Sequence, residues 1–363
     1  MATNTNTNTS IEFGKTVSLQ QAATLIATNP RVRFLLRGEP GIGKSSTLSM
    51  IIKMLGGTHE GIYRDMSAMA EGEAGIPMPN HETRTSSIYP NAAFGLHAGK
   101  PKVICLDEFS KGTQYLQNMF HPMLERTKPR FGDMYLPEDT IVYLTGNLVT
   151  DGVGDTLKAH TRDRVVEINV RKPSSDEWLG WALNNSINPA LMAWVNEFPH
   201  ALASYLDGDQ SANPYIFNPR KVQSGFVTPR SLDIASDIIN TRDRNATEAT
   251  TCALESKLGR AAALDMQAFI DYQDQLPKWQ EIIDDPKGTR KPTSAGACSV
   301  LVFGAVTKIE KATMTPFMTY LERLEPEWQA AFAISVAKNP DKQSVAFSSS
   351  AFAKWLEKNE DLL

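Results

Sequence analysis

A glycine-rich stretch near the start of the chain carries residues suited to binding phosphate. Residues 38–45 read Gly-Glu-Pro-Gly-Ile-Gly-Lys-Ser, which matches the pattern G-x-x-x-x-G-K-[ST] without a mismatch. Glycines let the backbone N–H groups turn inward around the β- and γ-phosphates, Lys44 adds a positive charge, and the Ser45 hydroxyl can ligate Mg²⁺. The residues predicted to bind the nucleotide are Gly38, Glu39, Pro40, Gly41, Ile42, Gly43, Lys44, Ser45 and Ser46.

An acidic pair follows an apolar run later in the chain. Asp107 and Glu108 come directly after Val103-Ile-Cys-Leu106. In an open parallel sheet, the carboxyl end of such a strand lies beside the phosphate loop. Asp107 is then placed to hold Mg²⁺ together with Ser45, and Glu108 to polarise the attacking water. Taken alone, the pair would also fit ordinary acids at the end of a strand.

One amide and three arginines are further candidates for catalysis. Asn147 follows the next apolar run, where an amide can contact both the γ-phosphate and the water. Arg162 and Arg164 precede another apolar run, and either could reach the nucleotide of a neighbouring subunit. Arg230, in the segment Thr-Pro-Arg, opens a predicted helix and could fold over the γ-phosphate. Each also fits a structural role, as a turn asparagine or a surface arginine.

The elements that must position these residues alternate between buried strands and helices. Short apolar runs predict strands at residues 33–37, 103–106, 140–145 and 165–170. Helical spacing predicts helices at residues 18–28, 44–55 and 114–126, the last kinked at Pro122. The segment 58–99 reads as loop-rich and 128–138 as a hairpin or loop. The glycine loop therefore lies directly between a predicted strand and a predicted helix.

After Pro173 the strand signals nearly vanish and helical periodicity takes over. Helices are predicted at residues 176–185, 189–206, 231–240 and 248–275, with a mostly helical segment after them. The pattern indicates an α/β fold, a P-loop NTPase with a parallel-sheet core, a C-terminal helical lid and a further helical tail. The predicted divisions are a disordered polar tail (1–14), an α/β nucleotide-binding domain (15–173), a helical lid (174–275) and a helical extension of unknown role (276–363).

The overall composition excludes several other classes of protein. Of the 363 residues, 41% are hydrophobic and 21% charged, as in a folded protein. The 37 basic and 41 acidic residues give a net charge of −4, which argues against a general nucleic-acid coat. The three cysteines form no disulfide or zinc pattern. No apolar run reaches the roughly 20 residues that cross a bilayer, so we expect a cytoplasmic protein without a membrane partner.

The motifs GEPGIGKS, VICLDE, TGN, TRDR and TPRS, in this order, resemble those of the AAA+ ATPases. The sequence around the acidic pair, and the glycine-containing segment KPRFGDMYLPEDT after it, are similar to those of the MoxR-like group. The resemblance covers about residues 15–260. It implies the following roles: Lys44 and Ser45 in Walker A, Asp107 and Glu108 in Walker B, Asn147 as sensor 1, Arg164 or less directly Arg162 as arginine finger, and Arg230 as sensor 2.

The resemblance also implies an activity and its partners. The expected cofactors are ATP and Mg²⁺, and the expected assembly is a ring of identical subunits, a hexamer by kinship. Such a ring would remodel or activate a partner protein or complex, in the manner of a chaperone. A client with a von Willebrand A domain is implied by kinship alone.

Two other functions stay open. A nucleic-acid motor or helicase loader would use the same ATP site and would need a basic pore surface. The candidates for that surface are Arg84, Lys100, Lys102, Lys128 and Arg130. A nucleotide-gated scaffold with little turnover is the second alternative. Four aromatic residues could line a ring pore or simply anchor loops: Tyr89, Phe94, Phe131 and Tyr135.

Overall fold

The computed structural model describes residues 15–148 and 157–360. The chain divides into two compact units, one ending at Lys172 and the other beginning at Pro173. The strands of the first unit are β1 (Thr16–Val17), β2 (Phe34–Arg37), β3 (Glu60–Asp65), β4 (Gly75–Asn80), β5 (Thr85–Pro90), β6 (Lys102–Asp107), β7 (Arg130–Phe131), β8 (Met134–Tyr135), β9 (Ile141–Gly146) and β10 (Val166–Val170). Its helices are α1 (Leu19–Thr28), α2 (Thr47–Met54), α3 (Glu71–Ala74), α4 (Gln114–Phe120) and α5 (Ala159–Arg162).

A six-stranded sheet forms the centre of the first unit, in the order β1-β10-β2-β9-β6-β3. Every neighbouring pair in it is parallel. Strands β2, β6 and β9 are buried along their whole length, which explains why they read as continuous apolar runs. The four strands expected from the sequence are therefore confirmed, and so is the parallel α/β class.

Helix α1 begins at the expected residue because Ser18 caps it. The Ser18 hydroxyl accepts a hydrogen bond from the Gln21 N–H at 3.2 Å, and the Gln21 side chain accepts one from the Ser18 N–H at 2.9 Å. The helix predicted at residues 44–55 starts as a 3₁₀ turn over residues 44–46 and continues as α2. Gly56 and Gly57 then end it with φ of 66° and 72°, backbone angles that suit glycine.

The interpretation of residues 58–99 as loop was wrong. This segment contains β3, at the edge of the sheet, and the antiparallel hairpin β4–β5. The exposure of β3 is mixed along its length, so its sequence lacks the apolar run that identifies a buried strand. The hairpin β7–β8, in contrast, agrees with the interpretation of residues 128–138 as a hairpin or loop.

The regular elements of the second unit are all helices within its described residues, 173–360, and the segment 203–228 lies outside them. Its helices are α6 (Ser175–Ala182), α7 (Pro189–Glu197), α8 (Pro229–Asn240), α9 (Thr247–Leu258), α10 (Arg260–Gln275), α11 (Trp279–Asp284), α12 (Ala295–Lys308), α13 (Lys311–Leu321), α14 (Pro326–Ala337), α15 (Pro340–Phe347) and α16 (Ser350–Lys358). A single hydrophobic core runs from Trp178 to Trp355 and includes side chains on both sides of residue 275. The separation of a lid from an extension at that residue stays a prediction.

None of the helices described in residues 15–148 and 157–360 is both long and apolar enough to cross a membrane.

Candidate nucleotide-binding site

The sheet order brings the predicted site residues to one end of three neighbouring strands. In register, Arg37 at the end of β2 pairs with Gly146 at the end of β9, and Leu106 of β6 pairs with Leu144 of β9. The glycine loop follows β2, the acidic pair closes β6, and Asn147 follows β9. Because the strands are parallel, their carboxyl ends meet at the same edge of the sheet.

The glycine loop is tightly folded, and its glycines are required. Gly41 and Gly43 have φ of 73° and 103°, in the left-handed region that other residues avoid. A Cβ on Gly38 would lie 2.6 Å from the Ile42 side chain and 2.7 Å from the carbonyl oxygen of Val170 on β10. Within the predicted nucleotide-binding set, Gly38, Glu39, Ile42 and Lys44 are buried, Pro40, Gly41, Gly43 and Ser45 are partly buried, and Ser46 is exposed.

The Lys44 ammonium group joins the loop to the end of β9. It donates hydrogen bonds to the carbonyl oxygens of Gly38 at 2.8 Å and Glu39 at 2.9 Å, and to Asn147 Oδ1 at 3.0 Å. Both Lys44 and Asn147 are almost fully buried. The positive charge is thus held against the first two residues of the loop, next to the amide predicted to sense the γ-phosphate.

The Asp107 carboxylate is the acceptor for three hydroxyl groups. Ser45 donates to Oδ2 at 3.2 Å, Tyr63 donates to the same oxygen at 2.6 Å, and Thr145 donates to Oδ1. Burial first, and the bond to Asp107 second, raise the pKa of the Tyr63 phenol, so it stays a donor at neutral pH. Sequence reasoning paired Ser45 with Asp107 and missed Tyr63 and Thr145.

Glu108 occupies an unusual backbone conformation for a residue with a side chain. Its φ and ψ are 51° and 41°, and its N–H lies 3.3 Å from Thr145 Oγ1. Lys111 Nζ lies 3.0 Å from Glu108 Oε2, at an angle that does not form a hydrogen bond. This buried oxygen is therefore ion-paired with Lys111 but makes no hydrogen bond among the described residues, which leaves it able to accept one from a water molecule.

The donor set fits Mg²⁺. Ser45 and Asp107 offer a hydroxyl and a carboxylate oxygen 3.2 Å apart, and Mg²⁺ prefers such oxygen ligands. In the described ranges, 15–148 and 157–360, the structure contains no cluster of three or more His, Cys, Asp or Glu side chains that could enclose a metal. A Mg²⁺ ion held by one or two protein oxygens, substrate phosphates and water needs no such cluster.

Comparison with known proteins gives only distant likenesses. No family model and no curated protein matches the chain. The chain is similar to the RuvB Holliday junction branch migration motor of Thermotoga maritima, with 13% identity over 74% of this chain and 74% of that one, at a TM-score of 0.34. It is also similar to NtrX from Brucella abortus in complex with ADP, with 14% identity over 95% and 67% of the two chains, at a TM-score of 0.39. TM-scores this low do not support a function for the chain, so the assignment of the site depends on the hydrogen bonds and burial described above.

The two finger candidates lie away from the glycine loop. Helix α5 leads into the amino end of β10, whereas the loop follows the carboxyl end of β2, the parallel neighbour of β10. Arg164 forms hydrogen bonds within its own unit. Its Nε donates to Glu125 Oε1 at 2.9 Å, and its Nη1 donates to the His160 carbonyl oxygen at 2.7 Å. The Arg162 side chain is 60% exposed, with Nε 4.0 Å from Glu167.

Arg230 belongs to the second unit and lies exposed in the first turn of α8. Thr228 and Ser231 form the cap of that helix: the Thr228 hydroxyl accepts from the Ser231 N–H at 3.0 Å, and the Ser231 hydroxyl accepts from the Thr228 N–H at 2.7 Å. The cap fixes the residue at which α8 begins, and therefore the place of Arg230 in its first turn. Its role as sensor 2 stays a prediction.

Most of the basic residues considered for nucleic-acid binding are paired with acids. Lys102 is fully buried and forms an ion pair with Glu60, and Lys100 lies 3.7 Å from the same carboxylate. The bond from Lys102 lowers the pKa of Glu60. Arg130 lies 3.9 Å from Asp133. These pairs neutralise much of the charge that a nucleic-acid surface would need.

The four aromatic candidates for a pore separate into two classes. Phe94 and Phe131 are fully buried and pack with Phe120, with ring centroids 4.6 to 5.6 Å apart, so they anchor the core. Tyr89 and Tyr135 are 57% and 62% exposed on the hairpins β4–β5 and β7–β8.

Proposed function

We propose that this protein is a Mg²⁺-dependent ATPase of the AAA+ type. One observation supports the proposal above all. Lys44, Asn147, Ser45 and Asp107 are linked by hydrogen bonds at the carboxyl ends of three neighbouring parallel strands, with Glu108 beside them. A phosphate-binding loop, a metal-binding carboxylate and a second acid are the parts that nucleotide hydrolysis requires.

Each residue of the site has a separate role in the proposed hydrolysis of ATP. The loop N–H groups and Lys44 bind the phosphates and offset the charge that develops as the bond to the γ-phosphorus breaks. Ser45 and Asp107 would hold Mg²⁺, which neutralises charge on the β- and γ-phosphate oxygens when bound. Glu108 accepts hydrogen from the attacking water, and Asn147, hydrogen-bonded to Lys44, orients that water against the γ-phosphate.

A direct assay tests the proposal. The purified chain should release phosphate from ATP in the presence of Mg²⁺, and a chelator should stop the release. Calorimetry with ATP and Mg²⁺ should register binding heat. No heat and no phosphate release from folded protein would contradict both the site and the activity.

We propose further that the active form is a ring of identical subunits, expected to be a hexamer. The support is the position of Arg162 and Arg164, which approach β10 from the amino end while the loop lies at the carboxyl ends. An arginine at that edge is better placed to contact the nucleotide of a neighbouring subunit than the nucleotide of its own subunit.

Mixed rings test this arrangement. Arg164→Ala subunits lack the finger but keep a complete loop, and Lys44→Ala subunits lack the loop charge but keep the finger. We expect each variant alone to be nearly inactive and the mixture to regain part of the wild-type turnover. The measurement is phosphate release across mixing ratios, with subunit exchange confirmed by mass. Mixed rings no more active than the separate variants would place Arg164 outside the reaction, and the same series with Arg162→Ala would then test the other candidate.

For the client we propose a protein, in keeping with the resemblance to the MoxR-like group. The hairpin β4–β5 exposes Ile76, Met78 and Tyr89 on one face, since Ile76 pairs with Tyr89, and such clustered apolar side chains are typical of protein contacts. It is tied to β7–β8 because the Ile88 N–H donates to Asp133 Oδ2 at 2.7 Å and the Asp133 N–H donates to the Ile88 carbonyl oxygen at 3.1 Å. A von Willebrand A domain client, and a cytoplasmic location, remain part of the proposal by kinship alone.

A nucleic-acid motor is the second candidate, and a simple comparison separates the two. ATP turnover is measured alone, with single- and double-stranded DNA or RNA, and with a candidate client protein. Because Lys100, Lys102 and Arg130 are paired with acids, we expect little stimulation by nucleic acid. Strong stimulation at physiological salt would favour the motor instead.

A further inference from the structure

Tyr63 reaches the metal-binding carboxylate from the edge strand. In register, Tyr63 of β3 pairs with Cys105 of β6, and Asp65 pairs with Asp107. Tyr63 is therefore the diagonal neighbour of Asp107 on one face of the sheet, a separation that an aromatic side chain can span. Its hydroxyl lies 2.6 Å from Asp107 Oδ2, which makes this bond shorter than the one from Ser45 to the same oxygen.

The directions of these hydrogen bonds have a consequence for Ser45. An ionised carboxylate only accepts hydrogen bonds, so Ser45 must donate its hydrogen to Asp107. The lone pairs of the Ser45 oxygen are then directed away from Asp107 and can take a cation. If the carboxylate plane turned part of the way about its Cβ–Cγ bond, neither oxygen would face Ser45, and the lone pairs of the Ser45 oxygen would no longer have a fixed direction.

Two hydroxyls prevent that rotation. Thr145 on β9 holds Asp107 Oδ1, and Tyr63 on β3 holds Oδ2, so the carboxylate is fixed from the strands on both sides of β6. Thr145 is fully buried, whereas Tyr63 is 41% exposed. Removing the phenol oxygen therefore disturbs little packing and isolates the effect of the hydrogen bond.

We propose that Tyr63 is a positioning residue for Mg²⁺: by holding Asp107, it keeps Ser45 aimed at the cation and sets the affinity of the ATP complex for the metal. The inference rests on the proposed function. It adds a residue that lies outside the phosphate loop, the acidic pair and the sensors.

The test separates metal binding from nucleotide binding. Tyr63→Phe keeps the ring and removes the hydroxyl. Binding of a fluorescent ATP analogue is titrated with Mg²⁺ at fixed nucleotide, and repeated in chelator. We expect the Mg²⁺ midpoint to rise about tenfold, the lower end of what lost support to a metal ligand costs, because Tyr63 is partly exposed. Affinity for the analogue without metal should stay unchanged.

Two controls make the result specific. Tyr115→Phe removes a hydroxyl from another half-exposed tyrosine, on α4, and should leave the Mg²⁺ midpoint unchanged. In an Asp107→Asn background, Tyr63→Phe should shift the midpoint no further, because Tyr63 acts through that carboxylate.

Three results would contradict one or both proposals, and each can be recognised by its own pattern of binding. An unchanged Mg²⁺ midpoint in Tyr63→Phe, with normal metal dependence in the wild type, overturns the role of Tyr63 and leaves the ATPase proposal intact. Equal loss of affinity with and without metal also overturns it, since that pattern indicates general damage to the site. A wild-type protein whose ATP binding ignores Mg²⁺ overturns both proposals.

Discussion

Lys44→Ala should weaken ATP binding by about ten- to a hundredfold and leave no measurable hydrolysis. The ammonium is buried, and it is held by the carbonyl oxygens of Gly38 and Glu39 and by Asn147, so it lies where the phosphates would enter the loop. A charge-assisted hydrogen bond contributes about 1.5–3 kcal/mol, and each 1.4 kcal/mol is about tenfold in affinity. Calorimetry with ATP and Mg²⁺ measures the loss.

The variant needs a check on folding, because removing Lys44 leaves three buried acceptors without this donor. Lys44→Met, which keeps most of the side-chain volume, should lose affinity to the same degree with a smaller effect on unfolding temperature. Lys53→Ala removes an exposed lysine from the last turn of α2 and should bind ATP normally. Submicromolar ATP affinity in folded Lys44→Ala would contradict the assignment of the phosphate loop.

The parts of the site that the sequence predicted share one property: each follows a strand buried on both faces. Runs such as Leu35-Leu36 and Val103–Leu106 are apolar because no residue of those strands faces water. The residues after such runs must lie at the carboxyl edge of a parallel sheet, so their meeting follows from topology. The convergence of Lys44, Asp107 and Asn147 was predictable for this reason.

The parts that were missed lie where burial is incomplete. Strand β3 is at the sheet edge, with exposed Glu60 and half-buried Arg64. Because exposed and half-buried residues are mixed along it, its sequence predicts neither the strand nor a role for Tyr63. A lone tyrosine far from Asp107 in sequence carries no motif, and only the pairing of β3 with β6 brings it to the carboxylate. Thr145 had a better signal, since it directly precedes the Gly-Asn pair at the end of β9.

The hairpin β4–β5 and Lys102 show two other limits of sequence reasoning. Pro77 and Pro79 suggested a loop, yet a two-stranded ribbon accepts prolines because strand positions that face water need no N–H partner. Lys102 was grouped with exposed basic residues, but it is buried against Glu60 at the starts of two paired strands. Composition cannot show whether a lysine faces solvent or a carboxylate.

Glu108→Gln should separate ATP binding from ATP hydrolysis. The substitution keeps the size of the side chain, and the backbone bond to Thr145 that supports the left-handed turn at residue 108 is unaffected. Lys44, Ser45 and Asp107 remain in place, so ATP and Mg²⁺ should bind as in the wild type. An amide cannot take the proton of the attacking water, and loss of a positioned base typically slows turnover by about 10²–10⁴-fold.

The expected result is a protein that retains ATP and accumulates as an ATP-bound ring, measured by single-turnover phosphate release and by mass in solution. Glu138→Gln, an exposed acid outside the site, should hydrolyse normally. Lys111→Met removes the cation 3.0 Å from Glu108 Oε2 but keeps the carboxylate, so it should lose much less turnover than Glu108→Gln. Normal turnover in Glu108→Gln would remove this residue from the chemistry, and negligible turnover already in the wild type would favour the nucleotide-gated scaffold.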